Sequence, residues 1–175
     1  MGIDHTAIQC YVALGSNLDD PVAQISTALR ELNALPETTC NQVSSIYRSR
    51  PMGPPNQPDF INAVAELATG LEAAELLKQM LQIEIHHGRQ RSRAGATKNG
   101  PRTLDLDLLL YGDYSVDEPG LTLPHPGLAH RDFVLLPLLE IAPNLAVSGL
   151  GPLGALKHKS NDYGAVRGEP LQWQR

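Results

Sequence analysis

The chain is short of several things, and each shortage excludes something. Its 175 residues include only two cysteines, Cys10 and Cys40, neither in a CxxC pair nor in a Cys/His cluster. A disulfide framework and a thiolate metal centre are therefore excluded, and two buried thiols are expected. Aromatic residues make up 5% of the chain and are not clustered in its β segments, which argues against a base-stacking sheet for RNA. No run approaches the roughly 20 apolar residues of a membrane span, and the N-terminus has no basic flank leading into an apolar stretch. A cytoplasmic protein is expected. Basic residues number 14 against 19 acidic ones, a formal charge of −5 that disfavours nucleic acid or anionic membrane as a partner. Neither GxxxxGK[ST] nor GxGxxG occurs, which excludes the standard nucleotide folds. There is no internal repeat and no linker, so one domain over residues 1–175 is expected, and a monomer.

What is present is ordinary for a globular domain: 42% hydrophobic residues, with 15 glycines and 14 prolines scattered between apolar segments as loop punctuation. Residues 9–14 (QCYVAL) read as a strand ending at Gly15-Ser16-Asn17. Asp20-Pro21 supplies an N-cap and a first-turn proline, and Val22, Ile25, Leu29 and Leu32 then recur at helical spacing to about Asn33. Residues 38–48 and 60–67 read as strands, separated by the stiff RSRPMGPPNQPD loop. A second helix after Thr69-Gly70, with Leu76, Leu77, Met80, Leu81 and Ile83 on its buried side, is stopped by Gly88. Residues 104–111 (LDLDLLLY) form the next strand, and residues 133–141 a short apolar helix stopped by Pro143. The order β-α-β-β-α-β predicts an α+β, ferredoxin-like antiparallel sheet with helices on one face. From Ser148 onward the chain is Gly-rich and weakly patterned, and a loosely packed tail is expected.

Two segments carry chemistry. Asp105 and Asp107 lie two apart in a strand, so both project from one face with Cα atoms roughly 6.5 to 7 Å apart. Leu104, Leu106 and Leu108 anchor the opposite face. Two like charges on a strand are unfavourable unless a cation lies between them, and such oxygen ligands suit Mg²⁺. A solvated acidic strand face is the plainer alternative. No acid occurs between Glu84 and Asp105, whereas Arg89, Arg91, Arg93, Lys98 and Arg102 bring five positive charges to the start of the same strand. Arginine forks beside a metal suggest a polyphosphate, held under a loop of about fourteen residues. A surface loop, a nucleotide-sensing or RNA-binding module and a Mg²⁺-dependent nuclease remain open on these features alone.

The segments YVALGSNLDDP, SSIYRSRPMGPPNQPDFINAV, IEIHHGRQR, GPRTLDLDLLLYG and LTLPHPGLAHRDFVLLPLLEIAP together resemble the 6-hydroxymethyl-7,8-dihydropterin pyrophosphokinases of folate biosynthesis, over about residues 9–145. GPRTLDLDLL is close to the signature of that family. The resemblance implies a ferredoxin-like fold, and transfer of the β,γ-pyrophosphoryl group of MgATP to the pterin hydroxymethyl with release of AMP. It further implies two Mg²⁺ ions on Asp105 and Asp107, with Arg89 and Arg102 assisting transfer and Arg91 acting from the loop. Glu84, Thr122, His125 and Arg131 match positions near ATP, and Ser49, Met52, Phe60, Asn62 and Phe133 match the pterin pocket. Asn62 would bond the ring edge. Asn99 stands where some relatives have Trp, and Phe60 replaces a Tyr. The resemblance fades after about Asn144 and implies no role for His158, Tyr163 or Trp173; the monofunctional form of the enzyme is expected.

Overall fold

A computed structural model describes residues 7–89 and 98–173. The elements in chain order are β1 (Ile8–Ser16), α1 (Pro21–Asn33), β2 (Thr38–Val43), β3 (Ser45–Ser49), β4 (Phe60–Thr69), α2 (Ala73–His86), β5 (Asp105–Tyr111), β6 (Val116–Glu118), β7 (Leu121–Leu123), α3 (Asp132–Ile141), β8 (Ala146–Val147), β9 (Gly151–Pro152), α4 (Leu153–Leu156) and β10 (Val166–Pro170). The N-cap expectation is met: the Asp20 side chain accepts from Ala23 N at 3.3 Å, with Pro21 opening α1. The strand expected over residues 38–48 breaks at Ser44, whose Oγ takes the Val64 N–H of β4 and so splits the run into β2 and β3.

The main sheet runs β10-β3-β4-β1-β5, with β2 also on β4, and every pairing is antiparallel. On β1 the alternation is plain. Cys10, Val12 and Leu14 pack with Ile25, Leu29 and Leu32 of α1 and Leu76 and Met80 of α2, while Tyr11 belongs to a second cluster with Leu135 and Leu138 of α3. Helices therefore cover both faces rather than one. The reason is α3 itself: Val134, Leu135, Leu138 and Ile141 make an apolar stripe that must be buried, and β4 and β5 supply Val64, Leu109 and Leu110 on the face that α1 and α2 leave open.

The tail expectation also needs correction. Leu153 and Leu156 of α4 are buried in the second cluster, and Trp173 packs against the first. Beyond α4 the chain returns as β10, which pairs with β3 through Val166↔Arg48 and Pro170↔Ser45. Glu140 of α3 fastens this edge: its carboxylate accepts from Ser45 N (3.0 Å), Ser45 Oγ (2.8 Å), Tyr47 Oη (2.8 Å) and Arg167 Nη2 (3.0 Å). Polar partners spread over three elements hold the segment where hydrophobic periodicity could not announce it. No helix among the described residues is long and apolar enough to cross a membrane.

Candidate active site

The α3 face of the sheet carries the acidic pair. Asp105 lies opposite Gly15 and Asp107 opposite Ala13 on β1, while Gly15 in turn lies opposite Asn62 on β4. Small residues at 13 and 15 leave a trough across three strands. A Cβ at Gly15 would stand 3.4 Å from Asn62 Oδ1 and begin to fill it. The N-terminal turn of α3 and the end of β3 wall this trough into a cleft with about 580 Å³ of empty space, part of it open to solvent. Ser49, Met52, Phe60, Asn62, Arg102, Asp105, Asp107, Arg131 and Phe133 all line it, so one cleft gathers the predicted pterin residues and the acidic pair.

Cations crowd the carboxylates. Arg89 Nη1 donates to both Glu84 Oε1, at 2.5 Å, and Asp105 Oδ1, and Arg102 Nη1 reaches Asp105 Oδ2 at 2.9 Å. Asp107 faces His125 Nε2 at 3.6 Å and Arg131 Nη1 at 3.8 Å. Burial pushes the Asp107 carboxyl up, but the neighbouring His125 and the charges of Arg131 and Arg89 outweigh it and hold the group below the usual carboxylate range. Burial likewise disfavours the charged Arg89, and Asp105 and Glu84 more than restore it. Among the described residues, three carboxylates and three guanidinium groups thus meet at this end of the sheet.

Backbone geometry fixes the cations. Glu84 is buried in the last turns of α2, and its Oε1 also accepts the Leu106 N–H at 2.7 Å, so one oxygen holds Arg89 against β5. His125 follows a cis Leu123–Pro124 bond, and its N–H donates to Leu109 O at 2.9 Å. The ring Nδ1 accepts from Gly127 N at 2.9 Å, which makes Nε2 the nitrogen that carries a proton toward Asp107. Such a ring presents a donor to Asp107, not a base, and like Arg89 it stands behind the acidic pair rather than in the cleft lining. Gly127 leaves room for the Arg131 guanidinium in its present place, since a Cβ there would lie 2.7 Å from it and the arginine would have to move.

The organic half of the cleft is held as firmly. Asn62 is buried and its Nδ2 donates to Tyr47 O at 3.2 Å and Ser49 Oγ at 3.0 Å, which turns Oδ1 toward Gly15. Arg102 lies over Phe60 with Cζ 5.8 Å from the ring centroid, so one side chain touches both an aromatic wall and Asp105. The proline-rich loop is stitched to the start of β5 by Asn17, whose side chain donates to Pro58 O (2.9 Å) and Gln57 Oε1 (3.0 Å) and accepts from Arg102 N (2.9 Å). Asn17 is a site-building residue that reading Gly15-Ser16-Asn17 as a turn overlooked. Its signal was the position at the exit of β1, next to both loops. Gly53 closes onto Asn99, where a Cβ would be 2.2 Å from the Asn99 carbonyl oxygen.

Not every expected residue joins the cleft. Thr122 sits on the β6–β7 hairpin and donates to Asp117 Oδ1 at 3.3 Å, outside the lining. Glu84 lies behind Arg89, 1% exposed. Arg91 and Arg93 fall outside the described residues. As a metal site, the pair offers two hard carboxylates at a cleft rim, and no group of three or more His, Cys, Asp or Glu gathers to hold a metal among the described residues. That donor set fits Mg²⁺, which keeps water and takes its remaining oxygens from a phosphorylated substrate.

Comparison with known proteins bears on this geometry. Residues 11–143 match the family model described as 7,8-dihydro-6-hydroxymethylpterin-pyrophosphokinase (HPPK). A 2-amino-4-hydroxy-6-hydroxymethyldihydropteridine pyrophosphokinase of Haemophilus influenzae is 40% identical over 163 residues, covering 93% of this chain and 99% of the relative. The enzyme of that name from Pseudomonas aeruginosa is 48% identical over 135 residues, covering 77% of this chain and 81% of its own. A crystal structure of Plasmodium falciparum HPPK-DHPS superposes with a TM-score of 0.71 at 14% identity, over 90% of this chain and 46% of that longer one, a likeness of fold.

Proposed function

The chain belongs to the 7,8-dihydro-6-hydroxymethylpterin-pyrophosphokinase family and is an enzyme of pyrophosphoryl transfer in folate biosynthesis, and we propose that the cleft at Asp105 and Asp107 is where it performs that transfer. One observation carries the assignment. A single side chain, Arg102, bridges the aromatic wall at Phe60 and the carboxylate at Asp105, so the acceptor alcohol and the phosphate to be moved meet beside it.

The pterin would lie against Phe60 and Phe133, with Asn62 Oδ1 accepting from its ring edge, because both Asn62 amide hydrogens are already committed to Tyr47 and Ser49. ATP would lie toward His125 and Arg131, its polyphosphate reaching back to Arg89 and Arg102. Asp105 and Asp107 would hold two Mg²⁺ ions, which when bound neutralise the polyphosphate and align it for in-line attack. As phosphate oxygens take over Arg89 and Arg102 from Asp105, the guanidinium groups remain on preorganised anchors, Glu84 for the first and Gly100 O for the second at 3.1 Å. The Nε2–H of His125 donates and cannot take the alcohol proton. Within this reading the βαββαβ order of β1, α1, the β2/β3 pair, β4, α2 and β5 is ferredoxin-like, residues 1–175 form one domain, and the protein acts as a cytoplasmic monomer.

Replacing Asp107 by Asn tests the assignment. The change keeps shape and removes one anionic ligand, so Mg²⁺-dependent product formation should fall by about a hundredfold or more while far-UV circular dichroism is unchanged. Full turnover at ordinary Mg²⁺ concentrations would remove Asp107 from the metal site.

A further inference from the structure

The segment from Asn161 to Ala165 lies beyond the residues that match the family model, yet it is bonded to both walls of the cleft. On the α3 side, Asn161 N donates to His130 O at 3.0 Å, and Asp132 Oδ2 accepts from Tyr163 N at 2.9 Å and Ala165 N at 3.1 Å. On the β3 side, Arg50 N donates to Tyr163 O at 2.9 Å and Arg50 Nη2 to Asp162 O at 3.1 Å. Gly164 has φ +68°, which bends the segment beneath the Arg50 guanidinium. Tyr163 then meets Phe133 edge to face, with centroids 5.2 Å apart and planes at 68°.

Phe133 is half-buried at the first turn of α3, where it lines the cleft. A Phe there has rotamer freedom unless a neighbour removes it, and Tyr163 stands against its ring. The strap also bonds Arg50 N on one wall and the Asp132 carboxylate on the other, so it fixes the separation between them.

We propose that this strap is a positioning element for the organic substrate, with Tyr163 holding the Phe133 ring in the orientation that receives the flat heterocycle. The inference rests on the assignment of Phe133 to the pterin wall. The contact is ring on ring, so Phe at position 163 preserves it and Ala abolishes it. An aromatic pair of this kind corresponds to about a twofold to tenfold change in affinity.

Steady-state kinetics on Tyr163→Ala, Tyr163→Phe, Phe133→Ala and the double variant Tyr163→Ala/Phe133→Ala provide the test, with thermal midpoints in parallel. The expected result is a pterin KM raised about twofold to tenfold by Tyr163→Ala, an unchanged KM for ATP, restoration by Tyr163→Phe, and a double variant no worse than Phe133→Ala alone. If Phe133→Ala raises the pterin KM and Tyr163→Ala does not, the strap inference fails while the pocket assignment stands. If Phe133→Ala leaves the pterin KM unchanged, both fail. A general loss affecting both substrates, with a lowered midpoint and no rescue by Phe, makes the strap merely structural and overturns the proposal. Should Tyr163→Ala not fold, Tyr163→Leu carries the same readout.

Discussion

Replacing Glu84 by Gln separates two roles that the residue could have. Its Oε1 accepts from Arg89 Nη1 at 2.5 Å and Leu106 N at 2.7 Å, and the side chain is buried. Gln can keep an oxygen in that place, so both bonds survive in geometry and lose only the negative charge. A hydrogen bond to a charged partner is worth about 1.5–3 kcal/mol and a neutral one about 0.5–1.5, so the substitution should cost about 1–2 kcal/mol of stability. The larger penalty of orphaning a buried charge does not apply, because Arg89 keeps Asp105. For a chain of this length that cost lowers the thermal midpoint by about 2–8 °C. Arg89, less firmly aimed, should lower kcat by about tenfold, while KM for ATP stays within about twofold. Urea unfolding and steady-state kinetics on the same preparation read both effects. Unchanged stability with a raised KM for ATP would refute the reasoning and make Glu84 a direct nucleotide contact.

Two further outcomes follow from ionisable groups away from the cleft. Burial alone would raise the Glu140 carboxyl, but the Ser45 N–H, the Tyr47 and Ser45 hydroxyls and Arg167 outweigh it and hold the group below the usual glutamate value of 4.5. A depressed carboxyl contributes stability that is present above the unfolded value and lost as pH falls through the folded one. Glu140→Gln should therefore destabilise the protein at pH 7 by about 1–3 kcal/mol, with the difference shrinking below about pH 4.5; urea midpoints that differ equally at both pH values would contradict this. Burial, with the Glu66 charge and Cys40 adding to it, pushes the Cys10 thiol up to about 12. Native protein should accordingly alkylate at Cys10 only as fast as it unfolds. Rapid labelling of the folded protein, read by mass spectrometry, would show a thiolate that this packing does not allow.

Much of the site was legible because its parts follow the two short periods of secondary structure. Alternation put Asp105 and Asp107 on one face of β5, and the 3.6-residue spacing placed Glu84 at the end of α2. The acid-free stretch then delivered Arg89 and Arg102 to the same strand, where both bond to Asp105. What could not be read was long-range and polar. Glu140 reaching Ser45 across 95 residues, Asn17 reaching Pro58 and Asp132 reaching Tyr163 leave no periodic trace. The covering of both sheet faces failed for a related reason: the apolar stripe of α3 shows that it is buried, not against which face. The C-terminal strand β10 is exposed along its length and held by β3 pairing and Arg167, so hydrophobic patterning gave no sign of it.

Resolving AMP from ADP after mixing the protein with MgATP and 6-hydroxymethyl-7,8-dihydropterin tests the central claim most directly. Membership of the pyrophosphokinase family predicts AMP in equal amount to the pterin diphosphate, and none without pterin. ADP as the nucleotide product, or AMP released without pterin, would contradict transfer of a pyrophosphoryl group to an alcohol held in this cleft.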